Sequence, residues 1–309
     1  MLEKSDKILI AGAHGMVGSA LVACLQAGGF HHLLTPPHAE LDYTDQLSVR
    51  HFLEKHQPQI VIIAAAKVGG IWANMHYPAE FIYTNMMIGS NLIHESHRAG
   101  ISRLLYLGST CIYPRDAPQP IPEEALLTGP LEKTNEAYAL AKIACIKMCQ
   151  FYRAQYGRSY ICAMPTNLYG PHDNYHPENS HVIPGMLRRF HEAKLNNAPS
   201  VPIWGTGHAR REFLYVEDLA SAVLHLLQRY DAQDPINIGS LDEVTIRDLA
   251  IEIAKTVGYS GEITHDLSKP DGTPRKKTDI SRILSLGWKP TTSLPIGLAK
   301  TYQDFLRTF

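Results

Sequence analysis

The sequence lacks an excess of charge of either sign. Its 309 residues include 29 lysines and arginines against 30 acidic residues, a formal net charge of -1. Proteins that hold nucleic acid by its phosphates carry a basic patch or a basic excess. The charge balance therefore predicts a protein without a nucleic-acid partner.

The sequence also lacks a long apolar segment. No run reaches the ~18 consecutive apolar residues that a membrane-spanning helix needs. The start, residues 1–7, is polar and has no apolar core of the kind found in signal peptides. We therefore expect neither a membrane partner nor a secretory leader.

Cysteine is scarce, and its positions show no pattern of disulfide or metal-binding pairs. The sequence has five cysteines, an odd number, and no two of them have C-x-x-C spacing. Disulfide frameworks use even numbers of cysteines in oxidising compartments. This pattern predicts reduced thiols in a cytoplasmic protein.

What the sequence does contain is an alternation of short β-rich runs with helical segments. The predicted strands are residues 7–11, 32–35, 60–66, 103–107, 160–164 and 235–239. A helical segment follows most of them, and one of these is predicted from Pro78 to about Ala99. Such alternation is typical of a parallel sheet with helices on both faces. The sequence predicts an α/β fold of the Rossmann type, with a doubly wound parallel sheet.

Three glycines, Gly12, Gly15 and Gly18, join the first strand to the first helix. Glycines in this place allow a tight turn and let the pyrophosphate of a dinucleotide approach the helix N-terminus. The turn also contains His14, Met16 and Val17, which we expect to contact the cofactor. A purely structural glycine turn is the alternative.

The segment that usually distinguishes NAD from NADP follows the second strand. The second strand runs into Thr35–His38, which offers neither the acid typical of NAD sites nor the arginine typical of NADP sites. His14 and His38 are candidates for weak contacts to a phosphate. Asp42 is placed where it could meet the adenine amine.

The texture of the sequence changes after Pro165. Residues 170–210 are rich in Pro, His and Asn, with one helical segment from Pro184 to about Lys194, which favours a loop-rich lobe over further sheet. Thr245 is predicted to cap a last helix that ends at Gly258. The predicted division is residues 1–169 with about 211–240 for a dinucleotide-binding domain. About 170–210 with 241–309 form a smaller α/β substrate-binding lobe.

Tyr138 and Lys142 are four residues apart, which places them on one face of a helix. A phenol whose pKa is lowered by a nearby ammonium can exchange a proton with a carbonyl oxygen during hydride transfer. Ser109 and Cys111 follow the strand at 103–107 and add a hydroxyl and a thiol to the same site. The alternative for Tyr138 and Lys142 is an ordinary surface pair.

Segments along nearly the whole chain resemble the extended short-chain dehydrogenase/reductases and, among them, the GDP-4-keto-6-deoxy-mannose 3,5-epimerase/4-reductases (GDP-L-fucose synthases). The segments are residues 12–18, 64–71, 81–88, 108–114, 138–142, 164–171, 180–184, 211–213 and 269–276. The resemblance implies a GDP-sugar substrate, NADP(H) as cofactor with NAD(H) not excluded, and a homodimer. Further cofactor-binding residues implied by it are Ala65, Lys67, Tyr138, Lys142, Pro165, Asn167, Leu168 and His181.

This resemblance makes a chemical demand. The hydrogens at C3 and C5 of a 4-keto sugar are acidic, so inversion there needs a base on one face and an acid on the other. Cys111 and His181 match the pair that the family uses, as thiolate and imidazolium. The alternative for Cys111 is a small buried hydrophobe. His181 could instead join His172 and His176 on a metal, but their spacing matches no recognised zinc pattern, so we predict no metal site.

The same segment argues against related activities. Sugar-nucleotide 4,6-dehydratases of this fold place Asp-Glu where this sequence has Cys111-Ile112, so no carboxylate is there to drive elimination of water. A hexose 4-epimerase would need only Ser, Tyr and Lys, which leaves Cys111 and His181 without a role.

Cationic side chains in the second half are candidates for the diphosphate of the substrate. They are Arg189, Arg211 and Lys276, because such groups bind phosphate oxygens. Asn167 is a candidate sugar or phosphate contact, and Trp204 could flank the nucleotide. The alternatives are solvated surface charges and a core tryptophan.

Two other functions stay open from the sequence. One is an epimerase/reductase for another nucleotide-linked 4-keto sugar, such as a GDP-heptose. The other is a non-catalytic, redox-sensing NAD(P)-binding protein, although such proteins commonly lose the Tyr or Lys that this sequence keeps.

Overall fold

The computed structural model describes residues 2–177, 179–269 and 271–309. Met1 of the polar start and Pro270 of the segment 269–276 lie outside the described residues. The first part of the chain contains β1 (Ile8–Ala11), α1 (Met16–Ala27), β2 (Leu33–Leu34), α2 (Gln46–His56), β3 (Ile60–Ile63), α3 (Ile71–His76), α4 (Pro78–Arg98), β4 (Arg103–Leu107), α5 (Glu136–Tyr156) and β5 (Ser159–Pro165). Short 3₁₀ turns lie at Thr110–Ile112, Glu123–Ala125 and Lys133–Asn135.

The second part of the chain has shorter strands. It contains β6 (Asn167–Tyr169), α6 (Val182–Leu195), β7 (Ser200–Trp204), β8 (Arg210–Arg211), β9 (Phe213–Tyr215), α7 (Val216–Arg229), β10 (Ile236–Ile238), β11 (Val244–Thr245), α8 (Ile246–Val257), β12 (Glu262–Asp266), β13 (Arg275–Lys276), α9 (Ser281–Ser285) and α10 (Leu294–Thr308).

The main sheet has six strands in the order β2-β1-β3-β4-β5-β10, and every neighbouring pair is parallel. The chain runs outward from β1 to β2 and then returns to place β3 on the other side of β1. In sheets of this kind ligands bind at the carboxyl ends of the strands, beside the point where the strand order reverses. The predicted Rossmann-type α/β fold is confirmed, and the turn after β1 lies at that point.

Both faces of this sheet are covered by helices. Along β1, Leu9 and Ala11 join one apolar cluster, which includes residues of α2, α4 and α5. Ile8 and Ile10 join a second cluster on the opposite face with residues of α1 and α7. Successive side chains of a strand point to opposite faces, so an unbroken apolar strand belongs to a sheet covered on both.

Local signals explain where several of the helices begin and end. The Asp45 carboxylate accepts a hydrogen bond from the backbone N–H of Leu47, which caps α2 as predicted. At the C-terminal end of α5, Gly157 has a φ of 66°. Glycine adopts this left-handed conformation at little energetic cost, so it ends the helix there. These signals are local, so the sequence could show them directly.

Two expectations for the second half were wrong. The stretch 170–210, expected to be loop-rich rather than sheet, contains the strand β7, which pairs with β12, and the start of β8. These strands agree with the predicted α/β character of the lobe. The helix that Thr245 caps, α8, is also not the last one, since α9 and α10 follow it. Strands of two residues are too short to show periodicity, and they pair with partners far away in sequence.

The lobe has its own apolar cluster, formed by α6, α8 and α10 together with β7 and β9. Its large members include Phe190, Ile253 and Phe305, which are fully buried. In the part of the chain that the structure describes, no helix combines the length and the apolar character needed to cross a membrane.

Candidate active site

The glycine turn after β1 forms a cradle that only glycine permits. Gly12 has a φ of 87°, and a Cβ at that position would lie 2.7 Å from the backbone nitrogen of Ala65. A Cβ on Gly18 would lie 2.0 Å from the Gly12 carbonyl oxygen. Gly15 precedes α1 and supplies no side-chain cap, so the first N–H groups of the helix are free to bind an anion. The turn therefore fits a dinucleotide pyrophosphate.

Residues at the predicted adenosine end lie close to one another. The His14 Nε2 atom is 3.1 Å from the Thr35 carbonyl oxygen, which holds the imidazole against the end of β2. Hydrogen bonds from the backbone and side chain of Thr44 lower the pKa of Asp42, and the nearby charge of His38 lowers it further. His14 and His38 are both exposed.

The remaining predicted cofactor residues follow the carboxyl ends of the strands. Ala65 and Lys67 come after β3, Pro165 ends β5, and Asn167 and Leu168 lie in β6. Met16 and Val17 occupy the first turn of α1.

Two of these side chains already have protein partners. The Lys67 ammonium pairs with the Glu80 carboxylate, which is a contact that the sequence did not indicate. The Asn167 amide donates to the Glu212 carbonyl oxygen at 3.0 Å. A cofactor or substrate that binds to Lys67 or Asn167 must therefore share or displace the contact with Glu80 or Glu212.

Tyr138 and Lys142 lie in α5 beside the end of β4. The Lys142 ammonium donates to the Leu107 carbonyl oxygen at 2.7 Å and lies 5.7 Å from the centre of the Tyr138 ring. Burial lowers the pKa of Lys142 to about 8, so its ammonium form still predominates at neutral pH.

The pKa of Tyr138 differs from the sequence-based expectation. Burial raises the pKa of the Tyr138 phenol well above its usual value, and the charge of Cys111 raises it further, whereas a hydrogen bond with Ser109 lowers it. The expected lowering by Lys142 was therefore wrong for the protein alone. Desolvation disfavours the phenolate more than the hydrogen bond with Ser109 favours it.

Ser109, Cys111 and Lys276 meet at the start of the loop after β4. The Ser109 hydroxyl oxygen accepts a hydrogen bond from the backbone N–H of Cys111 at 3.2 Å. The Cys111 sulfur lies 3.8 Å from the ammonium of Lys276, in β13. Cys111 is half-buried rather than enclosed in the core, unlike Cys145, Cys149 and Cys162.

His181 lies immediately before α6. Its neighbours Asn179 and Ser180 touch Gly70, because the Gly70 N–H donates to the Asn179 carbonyl oxygen at 3.1 Å and a Cβ on Gly70 would lie 2.6 Å from the Ser180 oxygen. The His181 ring remains accessible to solvent, yet enough protein surrounds it that desolvation lowers its pKa from the usual value.

Contacts connect this segment to Tyr138. A Cβ on Gly69 would lie 3.2 Å from the Phe81 ring, and the ring centres of Phe81 and Tyr138 are 6.5 Å apart. The structure therefore groups Ser109, Cys111, Tyr138 and Lys142 directly, and it brings the segment before His181 to their neighbour Phe81.

The three predicted diphosphate ligands have different surroundings. Arg189 donates to the carbonyl oxygens of Gly185 and Pro202, and Arg211 donates to that of Arg210. Burial lowers the pKa of both guanidinium groups, yet each keeps some exposed surface. Lys276 instead contacts the thiol of Cys111.

Trp204 is not a core residue, because 50% of its surface is exposed. The Lys269 ammonium lies 5.7 Å from the centre of its ring system. Among the described residues, no three His, Cys, Asp or Glu side chains are grouped so that they could hold a metal ion, His172, His176 and His181 included.

Sequence reasoning missed Glu212. Its side chain is completely buried and forms an ion pair with Lys277, at 3.1 Å. A carboxylate between Arg211 and Phe213 was a possible signal, because buried acids are rare and always need partners. The partners themselves come from a distant segment, so the sequence did not reveal them.

Comparisons with known proteins agree with this arrangement. GDP-L-fucose synthase 1 of Arabidopsis thaliana is 56% identical over 307 residues, which cover 99% of this chain and 95% of that protein. GDP-L-fucose synthase of Escherichia coli strain K12 is 52% identical over 310 residues, with 97% of each chain covered. A solved structure of GDP-mannoheptose C4 reductase from Campylobacter jejuni with NADP bound has a TM-score of 0.90 at 36% identity, covering 99% of this chain and 100% of that one.

The family described as NAD dependent epimerase/dehydratase matches residues 8–239. That range runs from β1 to the residue after β10 and so includes the whole six-stranded sheet. The resemblance drawn from the sequence is confirmed, and the chain belongs to the NAD dependent epimerase/dehydratase family.

Proposed function

We propose that this protein converts GDP-4-keto-6-deoxy-D-mannose to GDP-L-fucose by 3,5-epimerisation and NADPH-dependent 4-reduction. One observation carries the proposal: the Cys111 thiol is close enough to the Tyr138 phenol for its charge to act on it, and both residues contact the Ser109 hydroxyl, Cys111 through its backbone N–H. A simple carbonyl reductase has no use for a thiol at that place. The relatives named GDP-L-fucose synthase support the choice of sugar.

In the epimerisation, Cys111 and His181 exchange protons with the carbons next to the carbonyl group. One of the two removes the proton from C3 or C5, and the electron pair passes to the carbonyl oxygen as an enolate. The other returns a proton to the opposite face of the same carbon, which inverts it. A thiol and an imidazole suit this task because the protein can hold either of them in its charged or neutral form near pH 7.

In the reduction, NADPH held at the glycine cradle of Gly12, Gly15 and Gly18 would supply a hydride to C4. The Tyr138 hydroxyl donates its proton to the carbonyl oxygen as negative charge develops there, and Ser109 donates a second hydrogen bond. The high pKa of Tyr138 keeps its proton in place until that charge forms. Lys142 contributes a buried positive charge next to the phenol, and this charge stabilises the developing oxyanion.

The reaction can be tested with the purified protein and GDP-4-keto-6-deoxy-D-mannose in deuterated water. We expect NADPH oxidation, GDP-L-fucose as product, and deuterium at both C3 and C5. A product with unchanged configuration at these carbons would overturn the epimerase assignment. Turnover of a GDP-4-keto-heptose in place of the deoxy sugar would favour the activity for which the Campylobacter jejuni reductase is named. Absence of turnover with every keto sugar would favour a non-catalytic binding protein.

The cofactor is NADP(H), and we propose that His14 and His38 take the place of the usual arginine at its 2′-phosphate. Both imidazoles are exposed beside the end of β2, and His38 lies near enough to lower the pKa of Asp42. Replacing both by alanine is expected to raise the KM for NADPH at least about tenfold and to leave that for NADH nearly unchanged, because each charge-assisted contact to phosphate contributes about 1.5–3 kcal/mol. Steady-state kinetics with each cofactor measures this. Equal changes for both cofactors would contradict it, and the exposed His51→Ala is the control.

We further propose that the protein forms a homodimer in the cytoplasm. Helices α4 and α5 pack against each other and expose the side chains of Tyr83, Met86, Leu140 and Phe151. Exposed apolar side chains grouped in this way favour binding of the same surface of a second copy of the chain. The five cysteines are free thiols, as suits a reducing compartment. Sedimentation equilibrium at micromolar concentration tests the dimer, and a monomer mass would rule it out.

We also propose that the chain divides into a dinucleotide-binding domain (1–169 and about 211–240) and a substrate-binding lobe (about 170–210 and 241–309). This division is supported by the apolar cluster of α6, α8 and α10, which is distinct from the two clusters of the main sheet and also includes Phe213 and Tyr215 of β9. Limited proteolysis tests it: cuts near residues 170 and 210 are expected, and cuts confined to other loops would contradict it.

A further inference from the structure

The contact between Lys276 and Cys111 joins two segments that are 165 residues apart. The Lys276 ammonium lies 3.8 Å from the sulfur, and both side chains are half-buried. The ammonium is at hydrogen-bonding distance from the sulfur and acts as the donor. The contact is therefore electrostatic in character, and it involves the sulfur to which the proposed function gives a proton-transfer role.

The alternation of side chains in β13 directs Lys276 to this place. β13 pairs in parallel with β8, so that Arg275 lies opposite Arg210 and Lys276 opposite Arg211. Arg275 is exposed and binds the Glu243 carboxylate, whereas Lys276 points the opposite way, to Cys111. Because neighbouring side chains of a strand point to opposite faces, a shift of one residue in β13 would remove Lys276 from the sulfur.

Glu212 holds the segment after Lys276 in register. Its buried carboxylate accepts hydrogen bonds from the backbone N–H and the hydroxyl of Thr278, and it pairs with the Lys277 ammonium at 3.1 Å. Thr278 is itself 1% exposed. A buried carboxylate with these partners resists displacement, since any shift would leave a desolvated charge unpaired.

We propose that Lys276 is a further catalytic residue of the epimerisation, whose ammonium stabilises the Cys111 thiolate and holds the sulfur in place. Glu212 is a positioning residue that acts through Lys276. This inference rests on the proposed function, since it assigns a role within the same reaction.

The proposed step balances without any other reactant. The Cys111 thiolate takes a proton from a carbon next to the carbonyl group and becomes a thiol, and the electron pair passes to the enolate oxygen. If Cys111 instead delivers the proton, it becomes the thiolate as the carbon–hydrogen bond forms. The sulfur is anionic on one side of the step in both directions, so the Lys276 charge assists either of them.

The experiment compares the native protein with Lys276→Met and Lys276→Arg. Alkylation of Cys111 by iodoacetamide is followed in the free protein by mass spectrometry of the peptide that contains it, which separates it from half-buried Cys24. Solvent deuterium incorporation at C3 and C5 is then measured with saturating keto sugar. Lys55→Met removes a charge from the exposed end of α2 and is the matched control.

We expect Lys276→Met to slow Cys111 alkylation and deuterium incorporation by roughly tenfold each, because thiolate is the reactive form of cysteine. Lys276→Arg keeps the charge and is expected to stay within about threefold of the native protein. Thermal unfolding of all the proteins shows whether a loss reflects misfolding, and Lys276→Gln provides a polar substitute if the methionine variant does not fold.

An unchanged alkylation rate in Lys276→Met would overturn the inference. If that variant also showed a raised KM for the GDP-sugar, Lys276 would be the diphosphate ligand expected from the sequence. Alkylation needs no turnover, so it separates the two proposals. Slower alkylation in a protein that turns over no keto sugar would support the thiolate contact and overturn the proposed function.

Discussion

Replacing Cys111 by serine is expected to lower deuterium incorporation at C3 and C5 of the keto sugar by about 10²–10⁴-fold, the range typical of removing a general acid or base. Serine keeps the size and the hydrogen-bonding capacity of the side chain, but its hydroxyl does not ionise near neutral pH. The structure places this sulfur 3.8 Å from the Lys276 ammonium, and the Cys111 backbone N–H donates to the Ser109 hydroxyl oxygen. The loss should therefore be chemical rather than structural.

The measurement is mass spectrometry or NMR of the sugar recovered after incubation in deuterated water. Cys24→Ser is the matched control, because Cys24 is another half-buried thiol in α1, outside the proposed site. It should incorporate deuterium at the native rate. Full exchange in Cys111→Ser would show that the thiol has no role in proton transfer.

Replacing Tyr138 by phenylalanine is expected to lower the rate of NADPH oxidation by about 10²–10⁴-fold while deuterium exchange continues. The variant loses only the hydroxyl that donates a proton to the C4 oxygen. The Phe81 ring packs edge-on against the Tyr138 ring at 6.5 Å and can pack in the same way against phenylalanine. Lys142 keeps its charge, because its hydrogen bond to the Leu107 carbonyl oxygen does not involve Tyr138.

Single-turnover absorbance of NADPH measures the reduction, and the recovered sugar reports the exchange. Tyr156→Phe is the matched control, since Tyr156 is an exposed tyrosine of the same helix. Native reduction in Tyr138→Phe would exclude Tyr138 as the proton donor. Loss of exchange together with reduction would mean that the two half-reactions share this hydroxyl.

The pair of variants separates the two halves of the reaction. Cys111→Ser is expected to stop inversion before reduction, and Tyr138→Phe is expected to stop the pathway after inversion. A 4-epimerase does not predict this division because it needs no second acid–base pair, and a 4,6-dehydratase does not because it needs a carboxylate next to Thr110. An epimerase/reductase of another 4-keto sugar predicts the same division, and the substrate tests separate it.

The sequence by itself determined the features that depend on neighbouring residues. The glycines at 12, 15 and 18 predicted the cradle because a side chain at Gly12 or Gly18 would collide with the backbone. The apolar run at residues 60–66 predicted a central strand because both of its faces are covered. The spacing of Tyr138 and Lys142 predicted one helix face because the helical period is fixed.

Only the tertiary structure decided what depends on distant segments. β8 and β13 are two residues long, and their pairing across about 65 residues brings Lys276 to Cys111. The buried carboxylate of Glu212 is stabilised by hydrogen bonds from Thr278, a residue far away in the sequence. The pKa of Tyr138 also depends on desolvation by its surroundings, which its spacing from Lys142 does not reveal. Local spacing determines which side chains share a face of a helix or strand. Pairing between distant segments and burial determine which charged groups come into contact, and both arise only in the folded chain.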